Sequence, residues 1–203
     1  MSVRSEYLPL VNEKASTNEE YQTAAVVTRL KYVNMGMSPK DAHKSRRTAF
    51  TIDAGDAVAM FALPGPASAF DTFVLNSLNK GIVFYTPEQR KRRLEFVEKY
   101  TATTKAAFGD EITQMFALNI LATSPKKQGT GYGTLLVKAV TDKADTVGRK
   151  TWLGSSDIAN RKFYEGCGFV VVGEFTLGEA NPTWTAPPVV IQIMLREPQS
   201  LVS

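Results

Sequence analysis

Gln128-Gly-Thr-Gly-Tyr-Gly133 lies between an apolar run, Met115–Thr123 (MFALNILAT), and a stretch at 132–147 whose apolar positions recur at helical spacing. That placement decides the fold. Glycines let a chain turn tightly and bring successive backbone N–H groups toward one point, and the first turn of the following helix adds unpaired donors and the positive end of its dipole. A loop so placed suits phosphate or pyrophosphate, whereas three glycines without such context are more often a plain turn. The run MFALNILAT is too apolar for a surface strand and predicts a buried one, stopped by Ser124-Pro125. In the helix, Tyr132, Leu136, Ala139, Val140, Ala144 and Val147 share one face, with Gly148 as the natural stop.

Working outward, the pattern predicts a strand at Thr151–Ser155, a short helix at Ile158–Glu165 ended by Gly166, and strands near Phe169–Thr176 and Val189–Leu195. Upstream, Thr86-Pro87-Glu88-Gln89 combines an N-cap hydroxyl, a proline at the first helical position and an amide three residues after the cap. These features start a long helix running toward Gly109. Arg47–Asp53 and Ala57–Leu63 flank Ala54-Gly55 and predict a β-hairpin, with a helix around 68–79 after the Leu63-Pro-Gly-Pro66 break. Residues 19–34 (EEYQTAAVVTRLKYVN) are apolar at helical spacing, and Ser38-Pro39-Lys40-Asp41 suits the capped start of a second helix, so the amino-terminal quarter is expected to be helical. The second half reads as a mixed α/β sheet domain.

Composition sets the frame. At 203 residues a single domain over 1–203 is the default, burying roughly 70% of the surface the unfolded chain exposes. The balance of 24 Lys+Arg against 20 Asp+Glu gives +4, too small to argue for any polyanion, and without an aromatic–basic stripe it makes no case for nucleic acid. One cysteine, Cys167, and one histidine, His43, leave no intramolecular disulfide, Cys-rich zinc site or His-based triad to build, so no metal is expected. The opening MSVRSEYLPL contains Glu6 and lacks a signal-peptide core, and no apolar run approaches the ~18 residues of a membrane span. No membrane partner and a reducing, cytoplasmic address are the expectations.

Three nucleotide-type loops could be meant by 128–133. A P-loop needs a lysine after its last glycine, but Thr134 and Leu135 follow Gly133. A dinucleotide-binding Rossmann loop needs G-x-G-x-x-G on a first strand and an acid ending the second; this loop fits poorly, though Asp157 keeps the option open. The third pattern is Q/R-x-x-G-x-G/A, and here the chain resembles the GNAT superfamily of acyl-CoA-dependent N-acetyltransferases. Leu121-Ala-Thr-Ser-Pro125 resembles the end of that family's central strand, and Asn160-Arg-Lys-Phe-Tyr-Glu-Gly-Cys-Gly-Phe169 resembles its N…FYE…GF segment. The likeness is clear over 113–176, weaker back to 47–63 and forward to the last strand, and does not reach residues 1–46.

The resemblance implies a GNAT-like α/β fold, a mixed, mostly antiparallel sheet flanked by helices, with acetyl-CoA as co-substrate. It implies that backbone groups of Leu121, Ala122 and Thr123 pair with the pantetheine amides. The amides of Gln128, Gly129, Thr130, Gly131, Tyr132, Gly133 and Thr134 would cradle the pyrophosphate, which agrees with the helix N-terminus argument. Asn160 would touch the CoA arm and Phe163 pack against it. Lys126, Lys127, Arg161 and Lys162 are candidates for the ribose phosphate, although basic residues near a turn are commonly just solvated. Tyr164 would protonate or stabilise the departing thiolate; the plainer reading is a core tyrosine. Where many relatives place an acidic or polar group near the strand ends, this chain has Asn119 and Gly154, leaving Ser155, Ser156, Asp157 or a water as weak base candidates. The function implied is direct acetyl transfer to a primary amine of a small molecule or peptide. Its competitors are a non-catalytic CoA-binding sensor and, further behind, a Rossmann-type nucleotide binder.

Other features read plainly. Arg90-Lys-Arg-Arg93 is interspersed with glutamates and suits a solvated helix face, Cys167 suits packing, and His43 suits the surface. Trp152 is expected in the core, while Trp184 belongs to one of the two loops, 63–86 and 177–188, expected to shape the acceptor cleft.

Overall fold

The helix start at Thr86 is built as a complete capping box: the Gln89 N–H donates to the Thr86 hydroxyl at 3.2 Å, and the Thr86 N–H donates to the Gln89 side chain at 2.9 Å. The helix it opens, α1 (Pro87–Phe108), ends at Gly109. The computed structural model describes residues 22–24, 47–67, 72, 86–179 and 187–200. Among them are the strands β1 (Gln22–Ala24), β2 (Arg47–Ile52), β3 (Ala57–Ala62), β4 (Phe116–Thr123), β5 (Thr151–Ser155), β6 (Val170–Leu177) and β7 (Val189–Arg196). They form one sheet in the order β1-β2-β3-β4-β5-β7-β6. Every neighbouring pair is antiparallel except β4–β5, which is parallel. This is the mixed, mostly antiparallel sheet expected, and it departs from the all-parallel sheet of a doubly wound Rossmann domain.

Helices cover both faces. α2 (Tyr132–Asp145) buries Leu136, Val137, Val140 and Ala144 with Phe61, Phe116, Leu118, Leu153 and Met194. Packed on that same cluster are Phe163 and Tyr164 of α3 (Arg161–Gly166). On the opposite face, Tyr100 and Phe108 of α1 pack with Trp152, Ile193 and Phe175. Two glycines let α1 approach: a Cβ at Gly173 would lie 2.7 Å from the Thr103 Cγ2, and one at Gly154 would lie 3.2 Å from the Tyr100 ring. The end of α2 is tied to the end of β7 by a buried bidentate pair, Arg196–Asp145, at 2.8 and 2.9 Å, and Asp145 also accepts from the Gln199 N–H at 2.9 Å.

Three expectations are corrected. Gln22–Ala24, read as helical, is a strand in register with Ala49–Thr51, because the free edge of β2 offers backbone hydrogen bonds that outweigh a helical apolar spacing. Val147 is 58% exposed beyond the end of α2 at Asp145, so it takes no part in the buried face. β4 is buried only in its first half: Phe116 and Leu118 are in the core, whereas Ile120 is 47% exposed. The rest of 19–34, the helix from Ser38, His43, Trp184 and, Thr72 apart, the helix around 68–79 lie outside the described residues. Among the described residues no helix is long and apolar enough to cross a membrane.

Candidate functional site

β4 and β5 pair only at Phe116↔Thr151, Ala117↔Trp152 and Leu118↔Leu153, although β4 runs on to Thr123 and β5 to Ser155. β3 stays with β4 throughout, from Ala62↔Ala117 to Ala57↔Thr123, with Met60 opposite Ile120 and Phe61 opposite Leu118. Asn119 is therefore the extra residue of a β-bulge, which bends the strand and resets the alternation so that Leu121 returns to the face of Leu118. Past that bulge, among the described residues, β4 has no strand partner on its β5 side. The free edge is a strip of main-chain donors and acceptors.

The chain leaves that strand through a 3-10 turn at Pro125–Lys127, held by the Ser124 N–H on the Asp56 carbonyl at 2.6 Å. Gly129 (φ 79°) and Gly131 (φ 88°) then occupy left-handed conformations, and a Cβ at either would meet nothing within 4 Å. Glycine is required there by the backbone, and the space beside it is clear for a ligand. The Thr130 hydroxyl donates to the Lys127 carbonyl at 2.6 Å, and the Gln128 amide donates to the Thr123 carbonyl at 3.4 Å.

A cavity of about 760 Å³ lies against this turn. From β4 it is lined by Leu121, Ala122 and Thr123; from the turn and the start of α2 by Lys127, Gln128, Gly129, Gly131, Tyr132, Gly133 and Thr134; and from the facing wall by Asn160, Phe163 and Tyr164. The structure thus brings the expected site residues together, Thr130 excepted, which is exposed and has its hydroxyl on the Lys127 carbonyl. A Cβ at Gly133 would come within 3.4 Å of the Phe163 ring. Tyr164 is half-buried and sits edge-on to Phe163 and Phe169, with ring centroids 5.0 and 6.1 Å away. Burial, and after it the neighbouring Cys167, pushes its phenol above the ordinary value of 10, so the hydroxyl stays protonated at neutral pH. Cys167 packs against the same core, and burial raises its thiol as well.

Of the four basic candidates, Lys127 is the one on the cavity wall. Its ammonium lies 3.5 Å from Asp53, 3.9 Å from Asp56 and 5.7 Å from the centre of the Tyr132 ring. The Tyr132 hydroxyl donates to the Asp53 carboxylate, and Arg161 pairs with Glu165 at 2.7 Å. Sequence reading missed Asp53 and Asp56: a hairpin turn shows no periodicity that would place it beside a loop some 70 residues on. The weak base candidates do not reach the cavity. Ser155 is buried and donates to the Asp157 carbonyl at 3.1 Å, the Asp157 carboxylate caps the 3-10 turn at Ile158–Asn160, and Ser156 is exposed.

Residues 95–171 match the family model described as acetyltransferase (GNAT) domain. Over those residues the chain is similar to GNAT acetyltransferases. A curated relative, an uncharacterized N-acetyltransferase of Schizosaccharomyces pombe, is 26% identical over 153 residues, covering 73% of this chain; the chain spans 60% of that relative's length. Among solved structures, arylalkylamine N-acetyltransferase 2 from Aedes aegypti shares the GNAT fold with a TM-score of 0.55 at 15% identity, over 89% of this chain and 99% of that one. A mosquito arylalkylamine N-acetyltransferase like 5b superposes with a TM-score of 0.50 at 13% identity, over 79% and 81%. The GNAT match spans the second half of α1, the divergent β4 and the glycine turn, and ends in β6.

Proposed function

We propose that the protein transfers an acetyl group from acetyl-CoA directly to a primary amine of a small molecule or peptide. The observation that carries this is the convergence on one cavity of a free strand edge, a left-handed glycine turn at a helix N-terminus and a protonated phenol. The backbone N–H groups from Gln128 to Thr134 suit a pyrophosphate, and Lys127 adds a cation at its rim. The Leu121–Thr123 edge suits the two amides of a pantetheine arm, laid along it as an additional strand would be. Asn160 and Phe163 close the other side of that arm.

Acetyl-CoA supplies an acetyl thioester. The amine nitrogen attacks its carbonyl carbon, the C–S bond breaks, and the thiolate takes the Tyr164 phenolic proton; the nitrogen sheds its proton to water, and water returns one to the Tyr164 phenolate. Among the described residues the cavity lining contains no carboxylate or imidazole. That feature favours a second reading, a GNAT domain that binds CoA as a sensor without turnover. Calorimetric titration of acetyl-CoA tests both: wild type should bind with a micromolar Kd, and Gly131→Glu, which puts a carboxylate on the turn, should abolish binding. Absence of binding to folded wild-type protein sinks both. Release of CoA in the presence of an amine panel separates them.

A further inference from the structure

The first β5 position past its pairing with β4 is 154, on the α1 face, and residue 154 is glycine. The space is taken from another element. The Tyr100 ring stands 3.2 Å, and its hydroxyl oxygen 3.5 Å, from where a Cβ of Gly154 would be. We infer that Tyr100 receives the acceptor amine, holding its N–H on the phenol oxygen at the mouth of the β4–β5 gap; this rests on the acetyltransferase reading above.

Two phenols border the opening from opposite faces of the sheet. Tyr164 belongs to the α2–α3 side with Leu121, and Tyr100 to the α1 side with Trp152 and Ile193. A pantetheine arm lying along the free β4 edge fills the cavity on the first side, so the nucleophile must come from the second. The hydroxyl of Tyr100 makes no hydrogen bond among the described residues, although the side chain is half-buried. Among the described residues its oxygen is not one of the sealed atoms left without a partner, so it is open to solvent and can take a substrate. Burial raises it above 10, so it remains neutral and exchanges no proton: it aligns the nitrogen, and the transfer of bonds and protons is the one already written. Phe96 and Phe175 stand beside it, with ring centroids at 5.2 and 6.4 Å, a wall suited to an amine carried on an apolar or aromatic group.

Two probes and calorimetry test the assignment: acetyl-CoA, and CoA whose sulfur is joined through a –CH2C(O)– bridge to the nitrogen of 2-phenylethylamine. Wild type should bind the conjugate about tenfold or more tighter than acetyl-CoA. Tyr100→Phe, which keeps the ring and its packing, should bind acetyl-CoA as wild type does and lose most of that gain, and Gly154→Ala should lose it by displacing the ring. The inference is overturned if the wild type shows no gain or if Tyr100→Phe keeps it. Failure of the wild type to bind either probe instead removes the acyl-CoA reading and, with it, this one.

Discussion

At the scale of single residues, Tyr164 and Asp145 illustrate opposite uses of burial. Burial keeps the Tyr164 phenol protonated, so Tyr164→Phe should lower kcat roughly 10²-fold with the KM for acetyl-CoA unchanged. Because burial raises it above 10, rate loss from its own ionisation belongs to pH beyond that value, whereas an acceptor amine, ordinarily titrating near about 8 to 10, should give an ionisation in kcat/KM below it. Asp145 runs the other way: Arg196, with the Gln199 N–H in support, holds its carboxyl below the ordinary 3.8. Its stabilisation is present above about pH 4 and lost as pH falls through the depressed value. Asp145→Asn, which strands a buried guanidinium, should cost about 3 kcal/mol in urea denaturation near neutral pH, and the gap from wild type should narrow near about pH 3. The candidate residues that line the cavity, such as Gln128, Asn160 and Tyr164, belong to two linked segments whose local order is legible in the sequence. Tyr100 and Asp53 come from distant elements, and only the tertiary fold reveals them.

Among elements, α1 shows how partial such reading is. Its start is written in Thr86 to Gln89, where every signal is local. Its contact face is not, because the residues that meet the sheet include Tyr100, Thr103 and Thr104 rather than an aliphatic stripe, and the complementary feature is a pair of glycines on other strands. Gly173→Ala should therefore destabilise by about 1–3 kcal/mol, since the Thr103 methyl stands where the new Cβ must go. Adding Thr103→Ala should return much of that loss. Additive losses in the double mutant, followed by urea denaturation, would show the contact to be unimportant. The misread strand at Gln22–Ala24 and the half-exposed β4 share a cause: pairing partners and a bulge, neither visible in apolar spacing, decided both.

For the whole molecule, the sheet is continuous on either side of one short parallel contact, and the proposed ligand bridges the two parts. Binding to the native state alone must raise stability by mass action, about 2.7 kcal/mol at a hundredfold excess over Kd. Acetyl-CoA should thus raise the Tm of the wild type, and Gly131→Glu should show no such rise. A GNAT fold was predictable here because the glycine turn, the strand before it and the helix after it determine one another; the acceptor side was not, since it is assembled from α1 and a missing side chain. The gap between β4 and β5 has a further consequence in heavy water. Sheets ordinarily exchange their amide hydrogens fastest at the perimeter, but here Asn119 to Thr123 sit midway across the sheet with one edge unprotected. Those of their N–H groups not bonded to β3 should exchange as fast as an outer strand, placing edge-like protons at the sheet's centre.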